Sequence, residues 1–281
     1  MAYLGRFLCD FYSYSLKREI TLTVLIPTVS PEDRECSHRI PAKFPVLYFI
    51  HGSGNDGSTA ARYSSMERYV QDHKIAIVMF SHEDKSGRTL QALIPDHPSG
   101  IEVRLEDYES FIQEELPEFI TSYFPISPRR EDTYIAGLSQ GGYIALNQTL
   151  LRPELFCATG IFSGMFFTRT HLAKLAHLSQ EAMQNMPAEE ISTNLLPEFS
   201  QLLAQCSPSE LPLLFFSRGD KEASIGICSD AMVALLTQFG AQVHHTSNKP
   251  FGHEWDNWDL SLQEFLSWIP RTDAYRNYQN K

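Results

Sequence analysis

The stretch Thr133-Tyr-Ile-Ala-Gly-Leu-Ser-Gln-Gly-Gly-Tyr-Ile-Ala-Leu146 decides how this chain is read. Tyr134 to Ala136 is an apolar run of the kind buried strands carry, and from Gly142 to Leu151 apolar residues recur at helical spacing. Between them stands Gly137-Leu-Ser139-Gln-Gly141, a Gly-x-Ser-x-Gly at a strand-to-helix turn. In that setting the serine occupies a sharp, strained turn that lifts its hydroxyl above the sheet. Side chains at Gly137 and Gly141 would collide with the neighbouring strand and helix where the backbone doubles back so tightly. Ser139 also lies at a helix N-terminus, where unpaired N–H groups favour developing negative charge. It is therefore a candidate nucleophile.

Upstream, Phe44-Pro-Val-Leu-Tyr-Phe-Ile50 is a continuous apolar run, as found where a strand is buried on both faces. It ends in His51-Gly-Ser-Gly-Asn-Asp-Gly57, which no Gly-Lys-Ser/Thr follows, so it is not a Walker phosphate loop. Such a loop can instead bring a backbone N–H, that of Ser53, against a reacting carbonyl. His51 reads as a brace for the loop. Further upstream, Ala2 to Tyr14 and Glu19 to Pro27 alternate apolar and polar residues, which predicts an antiparallel hairpin at a sheet edge. Pro31 to Pro41 reads as a surface loop. The pattern predicts a helix over Ala60 to Asp72, a buried strand over Ile75 to Phe80, and an amphipathic helix from Arg104 to Phe124 kinked at Pro117. Ser81 to Gly100 has no period and reads as a loop bordering a pocket; its His82 and His97 lack further ligands at metal spacing.

Downstream, Ala158 to Ser163 reads as a strand, and Gly164 to Leu211 is too long for a simple crossover. It is expected to be a helical insertion placed to cap the site. Leu211 to Ser217 and Ala241 to Ser247 then read as strands, with helices over Ala223 to Phe239 and Trp255 to Ile269. The expected architecture is one α/β domain spanning residues 1–281. Its core would be a mostly parallel twisted sheet of about eight strands with helices on both faces.

At 281 residues and 43% hydrophobic content the chain can bury a sizeable core. A formal charge of −11 argues against nucleic acid or an anionic membrane as a partner, because both reward clustered Lys and Arg. The five cysteines are odd in number, scattered and without Cys-x-x-Cys spacing, so they read as reduced structural thiols. No basic leader with an apolar core opens the sequence, and no run of about 18 apolar residues occurs in it. A cytoplasmic location is the expectation.

A serine nucleophile needs a base within hydrogen-bond reach and a third group to fix that base's tautomer. On a fold with this elbow the order is Ser, then Asp or Glu, then His. Asp220 follows one late strand and His253 the next, so Ser139, Asp220 and His253 form the expected triad. Glu222 competes for the acid position but begins the next helix, where an acid also suits the dipole. His244 and His245 lie inside a strand pattern and read as structural. The backbone N–H groups of Ser53 and Gln140 are the expected oxyanion donors.

Several segments carry a resemblance: Pro45-Val-Leu-Tyr before His51-Gly52, Glu115-Leu-Pro117, Arg130 to Gly142, Phe162-Ser-Gly164 and Gly252-His-Glu-Trp255. Together they resemble the putative-esterase family of α/β hydrolases, near the bacterial tributyrin esterases and esterase D, over nearly the whole chain. The resemblance implies the α/β-hydrolase fold and hydrolysis of small acyl esters of short chain length without metal or cofactor. It also implies Ser139, Asp220 and His253 at the triad positions, and frequent homo-oligomers. The chain departs from its relatives at Ala60-Ala61, in Ser81 to Arg88 and from Met165 onward, segments that would line the acyl and alcohol pockets. A thioesterase of the S-formylglutathione hydrolase type, and a non-catalytic binding protein on the same fold, are the alternative readings.

Overall fold

The computed structural model describes residues 4–29, 42–82, 107–166, 197–248 and 250–280. The loop expected over Pro31 to Pro41, most of Ser81 to Gly100, the start of the Arg104 helix and residues 167–196 of the expected insertion lie outside them.

Among the described residues eight strands form one sheet, in the order β1-β2-β4-β3-β5-β6-β7-β8. They are β1 (Leu4–Ser13), β2 (Arg18–Pro27), β3 (Val46–Ile50), β4 (Ala76–Phe80), β5 (Thr133–Leu138), β6 (Ala158–Phe162), β7 (Leu213–Gly219) and β8 (Val243–Asn248). β1 pairs antiparallel with β2 along its whole length, from Leu4 opposite Pro27 to Ser13 opposite Arg18. β2 is antiparallel to β4 over Leu22–Leu25 only, and the other pairs are parallel. The edge hairpin and the mostly parallel sheet match the α/β-hydrolase expectation.

β3 shows why the central strands read as unbroken apolar runs. Val46, Tyr48 and Ile50 pack with Val24, Val78 and Ile135 on one face, while Leu47 and Phe49 pack with Leu25, Ile77 and Met79 on the other. The first face is covered by α3 (Leu116–Tyr123), α4 (Gln140–Leu151), α5 (Pro197–Gln205) and α6 (Ala223–Phe239). The second is covered by α2 (Met66–His73) and α7 (Trp255–Trp268), with the short α1 (Thr59–Tyr63) before α2. Phe162 of β6, Phe215 of β7 and Phe265 of α7 meet edge to face at 5.6 to 6.2 Å. Each ring contributes about 2 to 3 kcal/mol by leaving water. That cluster ties α7, and the loop that opens it, to β6 beside the elbow strand and to β7 next to it.

Two elements differ from expectation for local reasons. The helix predicted over Ala60 to Asp72 is broken between α1 and α2, where the Ser64 hydroxyl donates to the Ala60 carbonyl and Ser65 donates its N–H and hydroxyl to Asp259. Serines that bond the backbone or a carboxylate compete with the helix ladder. The kink expected at Pro117 is replaced by a widened turn over Phe111–Glu115, in which the Leu116 N–H reaches back to the Phe111 carbonyl. A proline ring collides with the carbonyl four residues earlier, and one wider turn moves that carbonyl aside.

Candidate active site

The elbow forms as the glycine spacing requires. Ser139 stands between β5 and α4 at φ 54° and ψ −118°, a left-handed backbone that non-glycine residues rarely adopt. A Cβ on Gly141 would lie 2.1 Å from the Ile50 carbonyl oxygen, and one on Gly137 would lie 2.3 Å from the Gly141 backbone. Nothing larger than glycine fits at either position. The Ser139 N–H is fixed by the Phe162 carbonyl at 2.8 Å, so the turn is anchored to the neighbouring strand.

His253 lies between β8 and α7. Its Nε2 is 3.1 Å from Ser139 Oγ, and its Nδ1 is 2.6 Å from Glu222 Oε1. The carboxylate bonded to that ring is Glu222 and not the expected Asp220. β7 continues two residues beyond the Ser217 end read from the sequence, to Gly219, and the Glu222 N–H then closes a turn on the Gly219 carbonyl. A Cβ on Gly219 would sit 2.2 Å from the Phe251 carbonyl oxygen, so the β7 and β8 loops touch backbone to backbone there. The Lys221 N–H donates to that same Phe251 carbonyl. This turn carries Glu222 beneath the imidazole, with its side chain fully buried. Asp220 instead lies on the Arg218 side, 3.8 Å from that guanidinium. Arg218 in turn holds Asp230 through two bonds of 2.8 and 2.9 Å.

The Glu222 carboxylate is held by more than the histidine. Its Oε2 accepts the Gly219 N–H at 2.8 Å and the Ser163 hydroxyl at 2.9 Å. Ser163 is completely buried at the end of β6, at φ 49°. Its oxygen also receives Asn257 Nδ2 at 3.2 Å and Trp258 Nε1 at 3.1 Å, both on α7. Both of those groups can only donate, so the serine proton must point to Glu222. The Trp258 ring also stands edge-on to His253, with centroids 4.8 Å apart. Sequence reasoning identified the Phe162-Ser-Gly164 segment but gave Ser163 no task. The signal available was a small polar residue directly after a buried strand beside the elbow.

The competing bases are placed elsewhere. His244 stacks between Phe215 and Trp268, and His245 pairs with Asp230 at 3.3 Å.

The loop after β3 leans on the elbow, since a Cβ on Gly52 would fall 2.7 Å from Leu138 Cδ1 and 3.1 Å from Ser139 Cβ. The two expected oxyanion residues are clasped by their side chains, the Ser53 hydroxyl donating to Gln140 Oε1 at 2.6 Å. His51 braces this loop as its position suggested. Its Nε2 accepts the His82 backbone N–H at 3.3 Å, which leaves its protonated Nδ1 to donate to the Gly52 carbonyl at 2.7 Å. The His82 ring stacks on His51 at 3.9 Å and donates from Nε2 to the His51 carbonyl at 2.9 Å. Burial, reinforced by the neighbouring imidazole, pushes the His82 pKa down to about 3, so it is neutral at ordinary pH.

Among the described residues no three His, Cys, Asp or Glu side chains are grouped to hold a metal ion, and no helix is long and apolar enough to cross a membrane. Cys9, Cys157, Cys206 and Cys228 are free thiols.

The family model described as putative esterase matches residues 13–269. An acetyl esterase of Caldicellulosiruptor saccharolyticus is 22% identical over 277 residues, covering 93% of this chain and 97% of that protein. Among solved structures, the S-formylglutathione hydrolase of Staphylococcus aureus superposes with a TM-score of 0.69 at 21% identity, over 95% of this chain and 96% of that one. A ferulic acid esterase of Anaeromyces mucronatus, solved with ferulic acid, gives 0.62 at 13% identity, over 96% and 92%.

Proposed function

Because the chain belongs to the putative esterase family and is a carboxylic-ester hydrolase, we propose that it cleaves short-chain acyl esters through an acyl-enzyme on Ser139, with His253 as base and Glu222 as the acid that orients it. The observation that carries this reading is the unbroken hydrogen-bonded line Ser139 Oγ, His253 Nε2, His253 Nδ1, Glu222 Oε1. Ser139 Oγ attacks the ester carbonyl while His253 Nε2 takes its proton. Glu222 stabilises the imidazolium so formed and holds Nδ1 protonated, which keeps Nε2 free to accept. The oxyanion is received by the backbone N–H groups of Gln140 and Ser53, each donor of this kind being worth about 10²- to 10³-fold in rate. His253 then protonates the leaving alcohol. A water activated by the same imidazole opens the acyl-enzyme and releases the acid.

The acetyl esterase among the relatives supports a short acyl group. The test is a p-nitrophenyl ester series from acetate to decanoate on wild type and Ser139→Ala, with mass spectrometry after a serine-reactive phosphonate. Turnover highest on the short chains, lost in the variant, with the phosphonate on Ser139, is the expected result. Label on another residue, or hydrolysis that survives Ser139→Ala, refutes it.

A further inference from the structure

Among the described residues the outer edge of the sheet is β1, a ten-residue strand that pairs within the sheet with β2 alone. Its odd-numbered side chains turn to the α3 side, Phe11 stacking on Phe119 at 4.3 Å and Phe7 meeting Phe124 at 5.5 Å. Its even-numbered side chains Arg6, Leu8, Asp10 and Tyr12 are all exposed, Leu8 by 65% and Tyr12 by 53%. The strand contains no proline and no lysine, the residues that commonly protect a sheet edge from pairing. A long apolar edge of this kind is a template for another strand.

We propose that a second copy of this chain docks there, its β1 antiparallel to the first about a two-fold axis through Leu8, joining the two sheets. The sequence of the strand selects this occupant and this register. A two-fold axis perpendicular to the sheet keeps core-facing residues with core-facing residues, so only pairings of like parity are allowed. β1 carries two charged residues, Arg6 and Asp10, and they oppose each other only when Leu8 lies on the axis. Moving the axis to Phe7 sets Asp10 against Leu4, and moving it to Cys9 sets Asp10 against Leu8. About Leu8 other pairs are also favourable. Leu8 meets itself, Leu4 meets Tyr12, and Phe7 meets the Cys9 thiol. The strand is self-complementary in the sense an isologous interface requires. Arg6 lies 3.3 Å from Glu67 in the same chain, so the partner's Asp10 would meet a guanidinium already oriented at the sheet edge.

The test is sedimentation over a concentration series for wild type, Arg6→Asp, Asp10→Arg and the double exchange. All four keep exposed positions exposed, and circular dichroism checks that they fold. Wild type should sediment as a dimer. Each single exchange turns both symmetry-related pairs from attraction to repulsion and should weaken association about tenfold or more, and the double exchange should restore it. As an independent check, mild oxidation should join Leu8→Cys to itself across the axis but leave Tyr12→Cys, which would oppose Leu4, uncrosslinked. A monomeric wild type, a dimer indifferent to the single exchanges, a double exchange that fails to recover, or crosslinking at position 12 instead of position 8 overturns the proposal.

Discussion

Glu222→Gln is the substitution that most sharply tests the site, because the surroundings dictate how the new amide must sit. In the native site Oε2 accepts two donors whose direction is fixed, the Gly219 N–H at 2.8 Å and the Ser163 hydroxyl at 2.9 Å. The hydroxyl cannot turn round, since Asn257 and Trp258 both donate to its oxygen. The glutamine carbonyl must therefore take the Oε2 place, and its NH2 group must face His253 Nδ1, 2.6 Å away. A donor there forces Nδ1 to accept, which moves the imidazole proton to Nε2 and aims it at Ser139. The base then cannot take the serine proton. Installing the wrong tautomer in a Ser-His-Asp triad lowers kcat by about 10⁴-fold, and a loss of about 10³- to 10⁴-fold is expected here. That range corresponds to about 4 to 5.5 kcal/mol of barrier. The substitution is isosteric, so the melting temperature should hardly change. Asp220→Asn, on the Arg218 side, should stay within a few fold of wild type. Steady-state kinetics on p-nitrophenyl acetate with thermal melts of both variants decide the matter. Glu222→Gln within tenfold of wild type, alongside a crippled Asp220→Asn, would falsify the assignment.

Other consequences are equally direct. Ser163→Ala leaves two buried donors, on Asn257 and Trp258, without an acceptor, at about 1 to 3 kcal/mol each, and leaves Glu222 Oε2 held by the Gly219 N–H without the hydroxyl; urea denaturation should show the loss, and kcat should fall about tenfold with little change in KM. Gly141→Ala would press a methyl group into the Ile50 carbonyl, so phosphonate labelling of Ser139 should fail even in any folded fraction. Ser53→Ala removes the clasp on Gln140 Oε1 but keeps both backbone donors, so kcat should drop several-fold, far less than the 10²-fold typical of losing one donor. Acid stability follows from the buried imidazoles. His73 is pushed down to about 4, first by burial and then by Arg271, and His82 to about 3, both from an ordinary 6.5. Above pH 6.5 neither state is charged and there is no penalty. Below it the unfolded chain takes up protons that the folded chain refuses, so stability falls until pH reaches about 4 for His73 and about 3 for His82. Urea midpoints between pH 7 and 4 should decline, and His73→Leu should make that decline shallower.

The parts of the site that were legible from sequence are those governed by backbone geometry. Gly137 and Gly141 flag the elbow because no Cβ fits there, and the all-apolar β3 and β4 flag burial on two faces. His253 was found because the chain order of strands leaves few positions for a last loop. Which carboxylate faces the ring was not legible, because the choice between Asp220 and Glu222 depends on where β7 ends, and strand ends are set by contacts from elsewhere. Here the close approach of Gly219 to Phe251 extends the strand by two residues and shifts the carboxylate that faces the ring. Ser163 was invisible as a functional residue for a related reason. Its importance comes from Asn257 and Trp258, which are about 95 positions away along the chain. The widened turn before Pro117 lies between these extremes. The proline announced a disturbance, but whether it bends the helix or loosens one turn is decided by the packing of Phe111, Ile112 and Leu116 against the sheet.

The pair of neutral imidazoles under the loop after β3 bears on the last event of a catalytic cycle. In the proposed reaction, a loop braced by His51 and His82 in uncharged form would offer a reacting oxygen dipoles at fixed positions. Such dipoles act strongly on an alkoxide whose charge is concentrated on one atom beside them. They grip a carboxylate poorly, because its charge is shared between two oxygens and one of these can turn to water. On the proposed mechanism, departure of the acid product would thereby be eased on a protein whose own net charge is −11 and which repels anions at long range.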